Sequence, residues 1–291
     1  MSGSKRKEKW DAFHRNWYLY GVMLAVLALL GVISFLLLRT ELLKNTQELG
    51  ETLAQSYSSE ERNSLTVYAT LINFGTEIVD SQERRGRPDE ETEELVLSFF
   101  QRVEETLGKG KVDPYIVLNG RILAANPWEG DASYDITRAE WYERAREADG
   151  GVIFTDVYTD AIYNRPVITA AQKCRESDAV LAFDIFPENF QLQFAPADLP
   201  DNASFYLCDR KGTLVYSQSF LDADEERIQF YVRKLLESIK AGEQDSYDAY
   251  IRDADGNKRG VYYSYLPNGW ISIITVPFAT ILEKLNYTAC V

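Results

Sequence analysis

Tyr134-Asp135-Ile136-Thr137-Arg138-Ala139-Glu140-Trp141-Tyr142, followed after a short helical run by Val157-Tyr158-Thr159-Asp160, is the stretch on which the reading of this chain turns. The two quoted pieces carry four aromatic side chains, one guanidinium and several carboxylates. An aromatic wall with a few aimed charges is what a small polar ligand needs. The rest of the chain reads as a way of holding that stretch outside a membrane and reporting on it.

The chain has 291 residues, of which 45% are hydrophobic, ample for a packed core in one or two domains. One apolar run stands apart. Trp17 to Leu38 has no charged residue, and at 1.5 Å per helical residue it spans ~30 Å, the thickness of a bilayer core. Leu36-Leu37-Leu38-Arg39 follows in place of a small-residue cleavage site, so the run reads as an uncleaved anchor. Lys5, Arg6, Lys7, Lys9 and Arg15 precede it, which places residues 1–16 in the cytoplasm and everything after Arg39 outside. Trp17, Tyr18 and Tyr20 stand where an interfacial aromatic belt would lie. The first 38 residues carry +3 and the whole chain −14, so the outer part carries −17. Such a surface argues against nucleic acid and anionic lipid, and it leaves a cationic ligand open.

Cys174, Cys208 and Cys290 are odd in number and widely spaced, which reads as tolerated thiols and not as a disulfide framework or a zinc site. The single histidine, His14, precedes the anchor, so histidine-based triads and histidine-liganded metals are excluded outside. Gly108-Lys109-Gly110-Lys111 lacks the spacing and the hydroxyl of a phosphate loop. No cofactor and no metal are expected.

From Thr40 to about Val79 apolar residues recur at three- to four-residue steps (Leu42, Leu49, Leu53, Tyr57, Leu65, Tyr68, Leu71, Ile72, Ile78), which predicts a long stalk helix over 39–80. It would pack on a domain, on a second copy of the chain, or on both. A charged loop around Arg84-Arg85-Gly86-Arg87-Pro88 precedes a second helix over Asp89–Leu107, with Asp89 as its N-cap. Then an internal repeat begins. Asp113–Ala124 is a strand, an Asn119-Gly120 turn and a strand, and Ala203–Tyr216 repeats that design. Each hairpin is followed by a helical stretch (137–149 and 222–241) and by strand-like runs: 151–155, 166–172 and 179–185 in the first copy, 246–252, 258–266 and 270–276 in the second. The expectation is an α+β fold: two tandem modules, 81–195 and 196–277, each an antiparallel sheet with flanking helices, joined through Pro187–Asn202.

In this order of parts the sequence resembles the double Cache sensor family, two PAS-like modules carried on a long N-terminal helix. The resemblance covers most of residues 40–285. It rests on the opening stretch, on Pro166–Ala171, on Phe183-Asp184-Ile185, and on Leu266-Pro267-Asn268-Gly269-Trp270 leading to Val276-Pro277-Phe278. It implies an extracytoplasmic sensor of a bacterial chemoreceptor, histidine kinase or diguanylate cyclase, with no enzymatic activity in the sensor itself. The subset that binds amino acids implies a ligand site at Tyr134, Arg138, Trp141, Tyr142, Tyr158, Asp160 and Asp184. The arginine stands one position earlier than that subset's pattern, where Ala139 takes its place. A second membrane helix would be expected to follow the helix starting at 278, and the given sequence stops at Val291, which leaves open a longer chain or a single-pass ectodomain that works with a partner. The resemblance implies a cyclase or kinase output domain in an intact relative.

The chemistry of those residues suits an amino acid or another small amine. Arg138 would clamp a carboxylate with two parallel N–H···O bonds, and Asp160 and Asp184 would receive an ammonium. The alternative for Trp141 and Tyr142 is a place in the core, and for Asp160 a turn cap. A competing class is a membrane-anchored, metal-dependent transferase using Asp222 and Asp224, and a third is a structural ectodomain with no ligand. Asp253-Ala254-Asp255-Gly256-Asn257 lies between two strand patterns and reads as a hairpin turn. Asn202-Ala203-Ser204 and Asn286-Tyr287-Thr288 have the form of glycosylation acceptors.

Overall fold

The structure, a computed structural model, describes residues 2–131, 134–161, 164–187, 199–219, 221 and 223–281, with backbone alone for 2–16 and 60. Asp222, Cys290, Asn286 and most of the helix expected from 278 onward lie outside the described residues, as does the middle of the 187–202 junction.

Helix α1 runs unbroken over Ser2–Arg84, so the apolar run and the expected stalk are one element of about 125 Å. Helix α2 spans Asp89–Leu107; Pro88 stands at its N-cap without a side-chain cap, and Asp89 instead accepts a hydrogen bond from Asn119 Nδ2 at 2.8 Å. Strands β1 (Val112–Leu118) and β2 (Arg121–Ala124) form the first hairpin. A turn of 3₁₀ helix over Ile136–Arg138 precedes the short helix α3 (Glu140–Glu147), so the helix expected over 137–149 is broken at Ala139, whose backbone is extended. Strands β3 (Ile153–Phe154), β4 (Tyr158–Thr159), β5 (Pro166–Lys173) and β6 (Val180–Ile185) complete the first module. The second contains β7 (Ser204–Cys208), β8 (Leu214–Gln218), α4 (Glu225–Lys240), β9 (Ile251–Arg252), β10 (Lys258–Tyr265) and β11 (Ile271–Pro277). Of the strand expected over 246–252 only the last two residues pair.

Among the described residues there are two antiparallel sheets with matching order: β2-β1-β6-β5-β3, with β4 also on β5, and β8-β7-β11-β10-β9. The fold is thus α+β, a long helix followed by two sheets with helices. Alternation along the strands gives each sheet two faces. In the first, Ile116, Ile168, Leu181, Phe183 and Ile185 point to α1 and α2, while Val117, Ala171, Val180 and Ala182 point to α3. In the second, Phe205, Leu207, Ile274 and Val276 point to α1, while Tyr206, Cys208, Ile271 and Ile273 meet Tyr231, Val232, Leu235 and Ile239 of α4.

Helix α1 joins the two. Ala54, Tyr57, Glu61, Leu65, Tyr68, Ile72, Thr76 and Val79 are buried in steps of three and four, a single stripe. Two glycines on that side mark the closest approaches. A Cβ on Gly50 would stand 2.4 Å from the Tyr262 ring, and one on Gly75 would stand 2.6 Å from Phe99 Cε1 and 2.7 Å from Leu181 Cδ1. The second module therefore sits on the part of α1 nearer the apolar run, and the first sits about 38 Å further along. Polar seats fix the register: Ser272 Oγ donates to Ala54 O at 3.3 Å, and Asp80 accepts from the backbone N–H groups of Arg175 and Glu176 at 2.9–3.1 Å.

The modules also clasp each other. Asp156, in the loop between β3 and β4, is buried and binds Arg210 Nε at 2.9 Å and Nη2 at 3.0 Å. Asp209 accepts from Val157 N–H at 3.0 Å and, with its other oxygen, from Lys211 and Thr213 N–H at 2.9 and 2.7 Å. The β7–β8 turn of the second module thereby holds the loop that leads into β4.

Gly75→Ala is expected to lower stability. The clash costs about 1–3 kcal/mol in a packed core and outweighs the ~1 kcal/mol that alanine contributes in a free helix; a denaturant melt that moves to higher midpoint would sink the close-approach argument. Arg210→Ala removes both guanidinium hydrogen bonds from the buried Asp156 and leaves it only the more distant Lys211 Nζ, at 3.9 Å. It should cost on the order of 2 kcal/mol and raise amide exchange in 155–158 more than in β10 or β11.

Candidate ligand-binding site

The face of the first sheet turned away from α1 is only partly covered, because α3 has eight residues. Beside it lies a cavity of about 570 Å³, counting its open mouth. Its floor is Asp113 and Tyr115 from β1 and Asp184 from β6; Ile122 and Ala124 come from β2. Asn126, Trp128, Asp131, Tyr134 and Ile136 come from the segment after β2, Trp141 from α3, and Tyr158, Asp160 and Ala161 from β4 and its end.

Asp184 is the best-anchored group. It is 8% exposed, and its Oδ1 accepts from Thr169 Oγ1 at 2.6 Å and from Tyr115 OH at 3.0 Å. Since the Thr169 proton goes to Asp184, Tyr158 OH donates to Thr169 Oγ1, at 2.5 Å. A relay of hydroxyls thus ties one carboxylate oxygen, and among the described residues none donates to Oδ2. Burial pushes the Asp184 carboxyl up to about 7 despite those donors, and the carboxylates of Asp160 and Asp113 add to the rise. Asp113, likewise buried, is raised by desolvation, an effect opposed by the Asn126 amide that donates to it at 3.0 Å. Burial beside Asp184 lifts the Tyr115 and Tyr158 hydroxyls well above their ordinary range, so both stay protonated donors.

Of the residues singled out in the sequence, the structure brings Tyr134, Trp141, Tyr158, Asp160 and Asp184 to the cavity wall. Arg138 is not among them. The 3₁₀ turn points it to solvent, where its 87%-exposed side chain pairs with Asp135 at 3.0 Å. Tyr142 is buried behind the wall, edge-on to Trp141 with centroids 5.7 Å apart and beneath the Arg146 guanidinium. Asp113, Tyr115, Asn126, Trp128 and Asp131 were missed in the sequence. Their signal was the parity of β1: Asp113, Tyr115 and Val117 share the face opposite Ile116 and Leu118. The other acidic candidates have structural partners. Asp224 caps α4, accepting from Arg227 N–H at 2.9 Å, and Asp253 closes a turn onto Asp255 and Asn257 N–H at 3.0 and 2.8 Å.

No protein-family profile matches the chain. A 130-residue segment is 27% identical to the methyl-accepting chemotaxis protein McpB of Bacillus subtilis, covering 45% of this chain and 19% of McpB. Solved structures align over much more of it. The ligand-binding domain of the Campylobacter jejuni chemoreceptor Tlp3 in complex with L-norvaline superposes with a TM-score of 0.62 at 17% identity, over 83% of this chain and 94% of that one. The domain of the Pseudomonas fluorescens chemoreceptor CtaA with L-isoleucine gives 0.58 at 14% identity, over 84% and 96%. That of the Pseudomonas aeruginosa amino acid chemoreceptor PctB with L-Arg gives 0.57 at 16%, over 80% and 96%. The chain has the fold of chemoreceptor sensor domains, the double Cache arrangement.

The Asp184 carboxyl supplies a signed prediction. It ionises near 7 when folded and near 4 when unfolded. Between those values the folded state binds the extra proton, so stability of the empty protein falls as pH rises from about 4 to about 7 and then levels. Asp184→Asn keeps the acceptor for Tyr115 and Thr169 and removes the charge. It should flatten that slope and stabilise the empty protein above pH 7 by on the order of 2–4 kcal/mol. Melts of both proteins from pH 4 to 8 measure it; parallel curves would mean the carboxyl is not held neutral.

Proposed function

We propose that the chain is the ligand-sensing part of a bacterial transmembrane signal transducer, with both modules outside the cytoplasmic membrane and a small amine-bearing molecule, an amino acid or a relative of one, bound in the first module. Asp184 carries the reading. A buried carboxyl has one oxygen fixed by a hydroxyl relay and the other free for a donor, behind a wall of Tyr134, Trp141 and Tyr158. A ligand ammonium completes that arrangement through a charge-assisted hydrogen bond, and the rings offer it a π-face. The sensor itself does no chemistry on what it binds.

The anchor supports the placement. α1 contains the one helix segment among the described residues long and apolar enough to cross a membrane, its 18-residue window having mean hydropathy 2.8 and no buried residues. The basic residues before it favour a cytoplasmic N-terminus. The signal leaves along α1, which both sheets grip. Ligand shifts it only by binding one arrangement of the modules more tightly than another. Leu49, Val67 and Phe74 remain exposed on α1 and fit pairing with a second copy.

A thermal-shift screen of the full chain in nanodiscs, against amino acids, amines and small carboxylates, tests this. Amine-bearing compounds at a hundredfold over Kd should stabilise by about 2.7 kcal/mol, and Asp184→Ala should abolish the shift. Stabilisation by carboxylates without an amine, or by none of the three classes, would overturn the proposal.

A further inference from the structure

We infer that the cavity selects a cationic amine bearing no carboxylate, an alkylammonium or alkylguanidinium, over the corresponding zwitterionic amino acid. The inference deepens the sensor reading above and rests on it.

The first observation is charge. Asp113, Asp131, Asp160 and Asp184 line the cavity, and no lysine or arginine is among the described lining residues. Asp113 and Asp184 are direct cross-strand partners between β1 and β6, on the same face. Like charges so placed repel unless a cation lies beside them. Several of the donors around the cavity already serve carboxylates. Asn126 Nδ2 donates to Glu104 at 2.9 Å and Asp113 at 3.0 Å, Trp128 N–H donates to Asp131 at 2.9 Å, and Tyr115 and Thr169 serve Asp184. Arg138, the residue expected to clamp a carboxylate, lies outside the cavity. A ligand carboxylate would lie among the carboxylates of Asp113, Asp131 and Asp184, with no lysine or arginine among the described lining residues.

The second observation is independent and comes from the second module. The register β1–β6 pairs Val117 with Val180 and Asp113 with Asp184; the register β7–β11 pairs Cys208 with Ile271 and Ser204 with Thr275. With the same strand order, Ser204 and Thr275 occupy the places of Asp113 and Asp184. There the protein supplies its own cation. Arg259 is 3% exposed and donates to Thr275 Oγ1 at 3.0 Å, to Thr275 O at 3.1 Å and to Ser204 Oγ at 3.4 Å, and pairs with Asp253 at 3.3 Å. A guanidinium thus fills in the second module the place that the first leaves open and lines with two carboxylates. Among the described residues no three acidic groups converge closely enough to hold a metal ion. Spread carboxylates between aromatic walls fit an extended organic cation better.

Titration calorimetry on the full chain in nanodiscs decides it with pairs that differ only by a carboxylate: putrescine and ornithine, agmatine and arginine, isoamylamine and leucine. The expected result is at least tenfold tighter binding of the best amine than of its own amino acid. At least a tenfold loss of that amine is expected in Asp113→Asn, whose melting temperature stays at or above that of the parent because a buried repulsion is removed. An amino acid that binds as tightly as its amine overturns the inference and leaves the sensor reading standing. So does an Asp113→Asn protein of unchanged melting temperature and unchanged amine affinity. Silence from all six compounds overturns both.

Discussion

Everything in this molecule hangs on the buried stripe of α1. Neither sheet covers both of its faces alone, and both turn one apolar face to the same helix. The stripe runs from Ala54 to Val79, with Gly50 and Gly75 where backbone and sheet come closest. Because the chain leaves the apolar run, passes the site of the second module and only then turns back at Arg84, the first module in sequence lies furthest from the apolar run. A helix continuous from that run to Asp80 also leaves little freedom between them. A change in how the first sheet sits on Ile72 and Gly75 is passed along a rigid element and not through a linker.

The two modules share topology yet treat their outer faces differently, and length explains it. α4 has 16 residues and lays Tyr231, Val232, Leu235, Leu236 and Ile239 over its sheet. α3 has eight, preceded by a 3₁₀ turn, and covers only the end near Val180 and Ala182. What one helix fills with aliphatic side chains, the other leaves to the β1 and β6 carboxylates and a rim of aromatics. The outer face of the second sheet is accordingly covered by α4 and carries its own internal cation, Arg259.

Much of this was legible in the sequence. The three- and four-residue steps of α1, the Asn119-Gly120 hairpin and its echo at 203–216 gave the long helix and the paired modules, because those signals are local. Tyr134, Trp141, Tyr158 and Asp184 stood out because they match, in type and order, the pattern of the amino-acid-binding subset that the sequence resembles. Asp113 and Tyr115 did not, since a strand residue's face depends on which strands flank it, and that is a long-range fact. Arg138 illustrates the same limit on a smaller scale. A single residue of displacement, realised as a 3₁₀ turn with Ala139 extended behind it, sends the guanidinium to Asp135 and solvent. Tyr142 follows Trp141 by one helical step and so meets Arg146 and the core instead of the cavity.

The buried acids are best understood as instability held in reserve. Asp113 opposite Asp184 weakens the empty first module, and a natural core would replace such a pair with aliphatic residues at a gain. A cation entering between them removes the repulsion, so part of its binding free energy becomes stability of that module. The loop bearing Tyr158 and Asp160 at the cavity rim also bears Asp156 and Val157, which Arg210 and Asp209 of the second module hold. The Tyr158 and Asp160 part of the cavity wall and the Asp156 and Val157 part of the clasp therefore belong to one segment. In the sensor reading proposed above, that shared segment is the route by which an occupied cavity would reach the clasp.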